Sequence, residues 1–279
     1  MNPALLDRAL IGEFRLHLIR EEKSAATVTK YIRDVRRFSL YAKAQPITKE
    51  LVMAYKQTLL DQHYAVRSIN SMLASINCLL EYMNLNHCRV KSMKLQRPAY
   101  CAEERQLSKS EYLRLLDAAK GQTQLRLIMQ TICATGIRVS ELRWFTVECV
   151  RAGETHIDCK GKHRIVLIPG KLRKRLLEFA RVRGITSGAI FRNQKGTPMN
   201  RTCIWAQMKA LCRKANVSPS KVFPHNLRKL FARTFYKLEK DIAKLADILG
   251  HSSIDTTRIY IMTTGTEHRQ QMERLGLVV

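Results

Sequence analysis

Long apolar runs are missing from this sequence. None approaches the ~18–20 residues that a bilayer span requires, and the opening stretch MNPALLDRALIGEF lacks a secretory pattern. A membrane-embedded or exported protein is therefore not expected. The eight cysteines include no C-x-x-C pair, and most stand in apolar surroundings, as Cys78 does in INCLLEYM and Cys133 in MQTICATG. That pattern points to reduced, small core residues of a cytoplasmic protein, ahead of disulfides or zinc ligands. There is no P-loop and no acidic cluster of the two-metal type, so nothing calls for a nucleotide or a metal, and no cofactor is expected. Internal repeats and low-complexity segments are also absent.

Acidic residues are the other scarcity. The chain has 279 residues, with 23 Asp+Glu against 49 Lys+Arg and a net charge of +26. The excess is uneven. Residues 1–104 hold 16 basic and 10 acidic side chains, or +6, whereas the remaining 175 residues hold 33 and 13, or +20. A folded domain so charged repels itself unless a polyanion neutralises it. Nucleic acid is the first candidate and an anionic membrane surface the second. With 46% hydrophobic residues, the chain is globular and has room for two ordinary domains.

Periodicity predicts a mainly α protein with a small β-sheet. The first ~100 residues read as four or five helices. In one, Val28, Tyr31, Ile32, Val35 and Phe38 recur at steps of three and four behind a Ser24/Thr27 start signal. Another begins at Thr48, and a third carries Ile69, Leu73, Ile76 and Leu80. Lys30, Arg33, Arg36, Arg37, Lys56 and Arg67 read as a solvated face. A non-periodic stretch containing a proline, residues 90–106, separates the halves. The boundaries adopted are 1–97 for a helical domain, 98–106 for a linker and 107–279 for an α+β domain. In the second half helices resume at Ser108 or Ser110, and an apolar helix ends at Gly136. The period shifts to two between residues 146 and 169, predicting two or three short strands. IFRNQKGTPMN reads as strand and turn, and helices return from Asn200.

The last third concentrates residues with chemical potential. His225 and Arg228 are three apart and so share one helix face. A Leu-Gly-His turn (Leu249, Gly250, His251) follows, with Tyr260 nine residues beyond the histidine. Upstream lie Arg138, in ATGIRVSEL, and the hairpin HIDCKGKHRIVLIP with Lys160 and Lys162. Two arginines can grip a phosphate through paired hydrogen bonds without ever deprotonating. Tyr260 can act as nucleophile, given a base or positive charge to offset a phenol pKa of about 10. His225 and His251 could supply either, and a hairpin lysine could protonate the departing oxygen. Tyr236 is the main rival nucleophile, although FARTFYKL looks like a packed helix.

ATGIRVSEL, KGKHRIVLIP, HNLRKLFAR and LGHSSIDTTRIY, in this order and spacing, resemble the tyrosine recombinase (phage integrase) family. The resemblance spans the chain. It implies an N-terminal core-binding (SAM-like) domain and a catalytic domain that together form a C-shaped clamp around DNA. By position, Arg138 resembles the first catalytic arginine and Glu141 the acidic residue supporting it. His225 and Arg228 match the H-x-x-R pair, His251 the second histidine and Tyr260 the nucleophile. The lysine box is one residue longer than KG-x-K-x-R-x-V-P, so Lys160, which opens the Lys-Gly pair, is taken as the general acid and Lys162 as its alternative.

The activity implied is site-specific recombination of double-stranded DNA through a 3′-phosphotyrosine and a Holliday junction. It would proceed within a homotetramer whose C-terminal tails are exchanged, with accessory proteins possible and a nucleoid-associated location. A type IB topoisomerase, or a catalytically silent DNA-binding protein of the same fold, are the alternatives.

Overall fold

A computed structural model describes residues 6–43, 45–96, 100, 104, 106–159 and 162–276. The chain divides into two compact units, Met1–Arg97 and Pro98–Val279. The first unit is built from α1 (Arg8–Arg20), α2 (Ala25–Ala42), α3 (Lys49–Asp61) and α4 (Val66–Tyr82). Three of these helices begin at polar caps, two of which, Ser24 and Thr48, the sequence announces. Asp7, Ser24 and Thr48 each accept the backbone N–H three residues on, satisfying a donor that the first turn would otherwise leave orphaned. Behind the caps, the stripe Val28, Ile32, Val35 and Phe38 turns inward. It packs with Phe14 and Leu18 of α1, Val52 and Leu59 of α3, and Leu73 and Ile76 of α4.

Lys30 departs from the solvated face expected of it. Its ammonium lies 3.0 Å from the buried Asp34 carboxylate and 2.8 Å from Ser75 Oγ, tying α2 to α4. Ser75 itself donates to Asp34 at 3.0 Å. A carboxylate this deep is tolerable only because charged and hydroxyl donors converge on it.

In the second unit α5 (Lys109–Ala118) starts with a complete capping box between Ser108 and Glu111. The apolar α6 (Thr123–Thr135) forms the centre, with α11 (Pro224–Glu239) and α8 (Gly170–Val182) against it. Ile128, Ile132, Phe145, Leu176, Phe191, Met208 and Leu227 are among the side chains that fill the core. The remaining helices are α7 (Val147–Ala152), α9 (Arg201–Ala210), α10 (Cys212–Ala215), α12 (Ile242–Leu249), α13 (Ile254–Ile261) and α14 (Gly265–Glu273).

The described strands are β1 (Glu154–Cys159) and β2 (Lys162–Leu167), an antiparallel hairpin pairing Ile157 with Arg164 and Cys159 with Lys162. Two expectations were too generous to strand. Residues 147–152 form α7, because Thr146 caps its first turn and Gly153, at φ +89°, closes it. Residues 190–200 contribute only one isolated bridge, Arg192 with Pro198. Of the free cysteines, Cys88 and Cys212 are buried as expected, whereas Cys203 is exposed on α9.

Because the first unit encloses its own core, residues 1–97 produced alone are expected to unfold cooperatively on heating, followed by circular dichroism. Phe38→Ala, which empties a fully buried position at a cost of about 3–5 kcal/mol, should abolish that transition.

Candidate active site

The site is assembled at helix ends. α6 stops at Gly136, whose φ of +65° and crowding by Phe231 exclude a side chain; a Cβ there would lie 2.4 Å from the Phe231 ring. The chain then enters the 3₁₀ turn Val139–Trp144 with Arg138 as its cap. The Glu141 carboxylate receives the Arg138 backbone N–H at 2.7 Å and Arg138 Nη1 at 2.9 Å. From β2, Arg164 donates to both oxygens of the same carboxylate, Nη1 at 3.2 Å and Nη2 at 2.6 Å. Glu141 is only 2% exposed. Burial by itself would raise its pKa, but the Arg138 backbone donor, the Arg164 charge and the guanidinium hydrogen bonds outweigh it and hold the carboxyl below its ordinary range.

Opposite stands α11. Pro224 fits the first turn, where no N–H is needed, and places His225 and then Arg228 one turn apart. Arg228 is 1% exposed. It donates to carbonyl oxygens, Gly136 at 2.5 Å and Leu249 at 2.7 Å, and its Nη2 lies 3.0 Å from His251 Nε2. No salt bridge to a carboxylate is found for it among the described residues. Burial, then the Arg138 charge, lowers its pKa to about 10, which still leaves it cationic at neutral pH.

α12 ends at Gly250, at φ +64°, and the turn delivers His251. Since a guanidinium only donates, His251 Nε2 must accept. Its Nδ1 then carries the proton and donates to Thr257 Oγ1 at 2.9 Å. Thr257 is fully buried on α13, three residues before Tyr260. The Tyr260 ring, 9% exposed, is flanked by His225 (centroids 5.0 Å apart) and His251 (4.9 Å), with the Arg228 guanidinium carbon 5.9 Å from its centre.

Both histidines are pushed down to about 4. For His225 the causes are burial, then Lys229, Arg228 and Arg138; for His251 they are burial, then Arg228, Arg138, Arg164 and His225. Burial first, and then the surrounding cationic charge, leaves both neutral at pH 7.

Of the residues singled out in the sequence, Arg138, Glu141, His225, Arg228, His251 and Tyr260 come together here. Lys160 lies outside the described residues. Lys162 opens β2 opposite Cys159, and its position falls in the same alternation as Arg164 and Val166. Tyr236 packs in the cluster of Ala232, Leu245 and Leu249, with Lys240 as its cationic neighbour. Two contributors escaped sequence reading. Arg164 stood in a hairpin examined for its lysines, and Thr257 carried only the weak signal of a three-residue spacing from Tyr260.

With this geometry in place, comparison with known proteins gives a consistent picture. The family model described as the phage integrase family matches residues 105–266. The chain belongs to the phage integrase family. The model of that family's N-terminal SAM-like domain matches residues 11–85. The tyrosine recombinase XerA of Pyrococcus furiosus is 26% identical over 288 residues, covering 100% of this chain and 98% of that protein. Among solved structures, a lambda integrase dimer bound to a COC′ core site is similar with a TM-score of 0.75 at 17% identity, over 94% of this chain and 97% of that one. A lambda integrase tetramer bound to a Holliday junction gives 0.73 at 18% identity, over 93% and 78%. These two likenesses are of fold. As an integrase-family fold, the chain is mainly helical, and no described helix is long and apolar enough to cross a membrane.

The depressed histidines make the second unit of this integrase-family protein acid-labile. A histidine at about 4 when folded and 6.5 when unfolded binds its proton preferentially in the unfolded chain. The stability it contributes is complete above 6.5 and is lost as pH falls towards 4. Urea midpoints measured between pH 7.5 and 4.5 should therefore drop progressively, and His251→Gln should flatten part of the fall.

Proposed function

We propose that this protein is a site-specific tyrosine recombinase that cuts and rejoins double-stranded DNA. The observation that carries the reading is the Tyr260 ring, held between two neutral histidines beside Arg228, a buried cation with no carboxylate partner. An unpartnered buried charge is costly, and a phosphodiester supplies the anion it lacks. Arg138 and Arg228 approach from different elements and are read as the clamp on the non-bridging oxygens. Three guanidiniums against one carboxylate leave an excess of positive charge suited to a transition state with more negative charge than the diester.

In the reaction, the Tyr260 oxygen attacks phosphorus, the bond to the 5′ oxygen breaks, and a 3′-phosphotyrosine remains. The bound diester offsets the Lys229, Arg228 and Arg138 charges that add to burial in depressing His225, which favours this histidine as acceptor of the phenol proton. His251, its tautomer fixed by Thr257, steadies Arg228 by accepting its Nη2 donor. The leaving 5′ oxygen takes its proton from a hairpin lysine. Lys160, which opens the Lys-Gly pair, is preferred, with Lys162 as the alternative. The covalent link conserves the phosphodiester energy, and rejoining needs no ATP.

Assembly follows from the same reading. Met272 and Leu275, at the end of α14, are exposed apolar side chains, which supports docking of the tail on a neighbouring protomer in a homotetramer.

Covalent trapping on a nicked suicide duplex carrying the cognate site tests the chemistry. Wild type should give a DNA-linked band and Tyr260→Phe none, with binding retained; a band surviving that change would point to another nucleophile. In the same gel, a 5′-thio leaving group should rescue whichever of Lys160→Ala and Lys162→Ala removes the general acid. Sedimentation on a Holliday junction should show four protomers per junction, whereas a monomer that relaxes supercoiled plasmid would instead support the topoisomerase alternative.

A further inference from the structure

Arg164 has no role in the clamp just described, yet its surroundings are those of a constructed position. Its side chain is 13% exposed and forms a two-pronged ion pair with Glu141. Each oxygen of that carboxylate is shared. Oε1 accepts Arg138 Nη1 and Arg164 Nη1, and Oε2 accepts the Arg138 backbone N–H and Arg164 Nη2. The Arg164 stem also lies directly under the Gly250 turn, where a Cβ would come within 2.9 Å of its Cδ and 2.6 Å of its Nη1. That turn's carbonyl is a third, longer contact of Arg138, at 3.4 Å, and the next residue is His251. One guanidinium from β2 thus braces the carboxylate that orients Arg138 and the turn that presents His251.

We propose that Arg164 is a positioning residue for strand cleavage: through Glu141 and the Gly250 turn it fixes Arg138 and His251, so that seating the lysine hairpin also sets the phosphate clamp. This rests on the reading of the site as a DNA-cleavage centre. Arg164 is poorly placed to hold the phosphate itself. Both its Nη groups are committed to Glu141, and its Nε is buried without a partner. Without Arg164, Glu141 keeps only the donors of Arg138, and the turn loses the surface it rests on. An arginine displaced by about 1 Å from a transferring phosphate is enough to slow reaction on the order of 100-fold.

The test compares Arg164→Ala, Arg164→Lys, Glu141→Gln and the Arg164→Ala/Glu141→Gln double variant with wild type. Single-turnover adduct formation is measured on the suicide duplex, and affinity for the same duplex across a salt series. Formation of the wild-type adduct tests the cleavage reading; the ratio of variant to wild type tests Arg164. The expected result is cleavage slowed about 100-fold in Arg164→Ala, with Kd and salt slope unchanged, and a smaller loss in Arg164→Lys, which keeps the charge and stem but not the fork. The double variant should be no slower than the slower single one. Arg164→Lys also covers the case in which the alanine variant fails to fold. Cleavage at the wild-type rate in a folded variant would overturn the proposal, as would additive losses in the double variant. A salt slope reduced by about 0.9 would overturn it too, by making Arg164 a phosphate ligand.

Discussion

Like charges gathered around a single carboxylate are what the catalytic unit has to sustain. Arg138, Arg164 and Arg228 converge on a volume in which Glu141 is, among the described residues, the only anion that pairs with any of them. Water screens Arg228 and Glu141 little, because both are sealed from solvent. The fold copes by distributing the cations over separate elements and giving each guanidinium fixed acceptors. Arg138 and Arg164 share Glu141, and Arg228 takes the free carbonyls at two helix ends. Those carbonyls are available because α6 and α12 both stop at left-handed glycines, Gly136 and Gly250, whose lack of a Cβ lets neighbouring side chains close in. The arrangement is strained electrostatically until an anion enters, and a protein that binds the anion only when folded gains stability from it.

Much of this was legible in the sequence, for reasons that are local. Ser24, Thr48, Ser108 and Asn200 signalled helix starts because a cap needs only the residues immediately after it. The pairing of His225 with Arg228 followed from helical spacing, and that of Arg138 with Glu141 from the family resemblance. What failed was non-local. Lys30 looks like surface until Asp34 and Ser75 are seen to meet it from within and across the helix pair. Arg164 occupies an inward position between Lys162 and Val166, where a strand would ordinarily place an apolar residue; no pattern in RIVLIP shows that a buried carboxylate lies above it. Thr257 reads as a polar helix residue, and only its complete burial shows that its hydroxyl faces inward. The α7 segment fell inside the stretch read as strand, although Thr146 and Gly153 framed a short helix.

The two units also differ in what their charge does. Buried ionic contacts in the first unit, around Asp34, join helices to one another. In the second unit the buried arginines hold a shape that faces outward, towards a ligand. A basic excess of +20 in residues 105–279 thus has two components: a general attraction for polyanions, which salt weakens, and a small set of enclosed cations on which salt has little purchase.

The hydrogen bond from His251 to Thr257 has a mechanical meaning. Thr257 and Tyr260 lie on the same face of α13, and His251 stands just before that helix, so the imidazole and the phenol are fastened to one short rigid body. Displacing α13 would carry the tyrosine away and, in the same motion, release the imidazole from the proton acceptor that fixes its tautomer. The order of the imidazole and the placement of the phenol thus depend on one eight-residue helix.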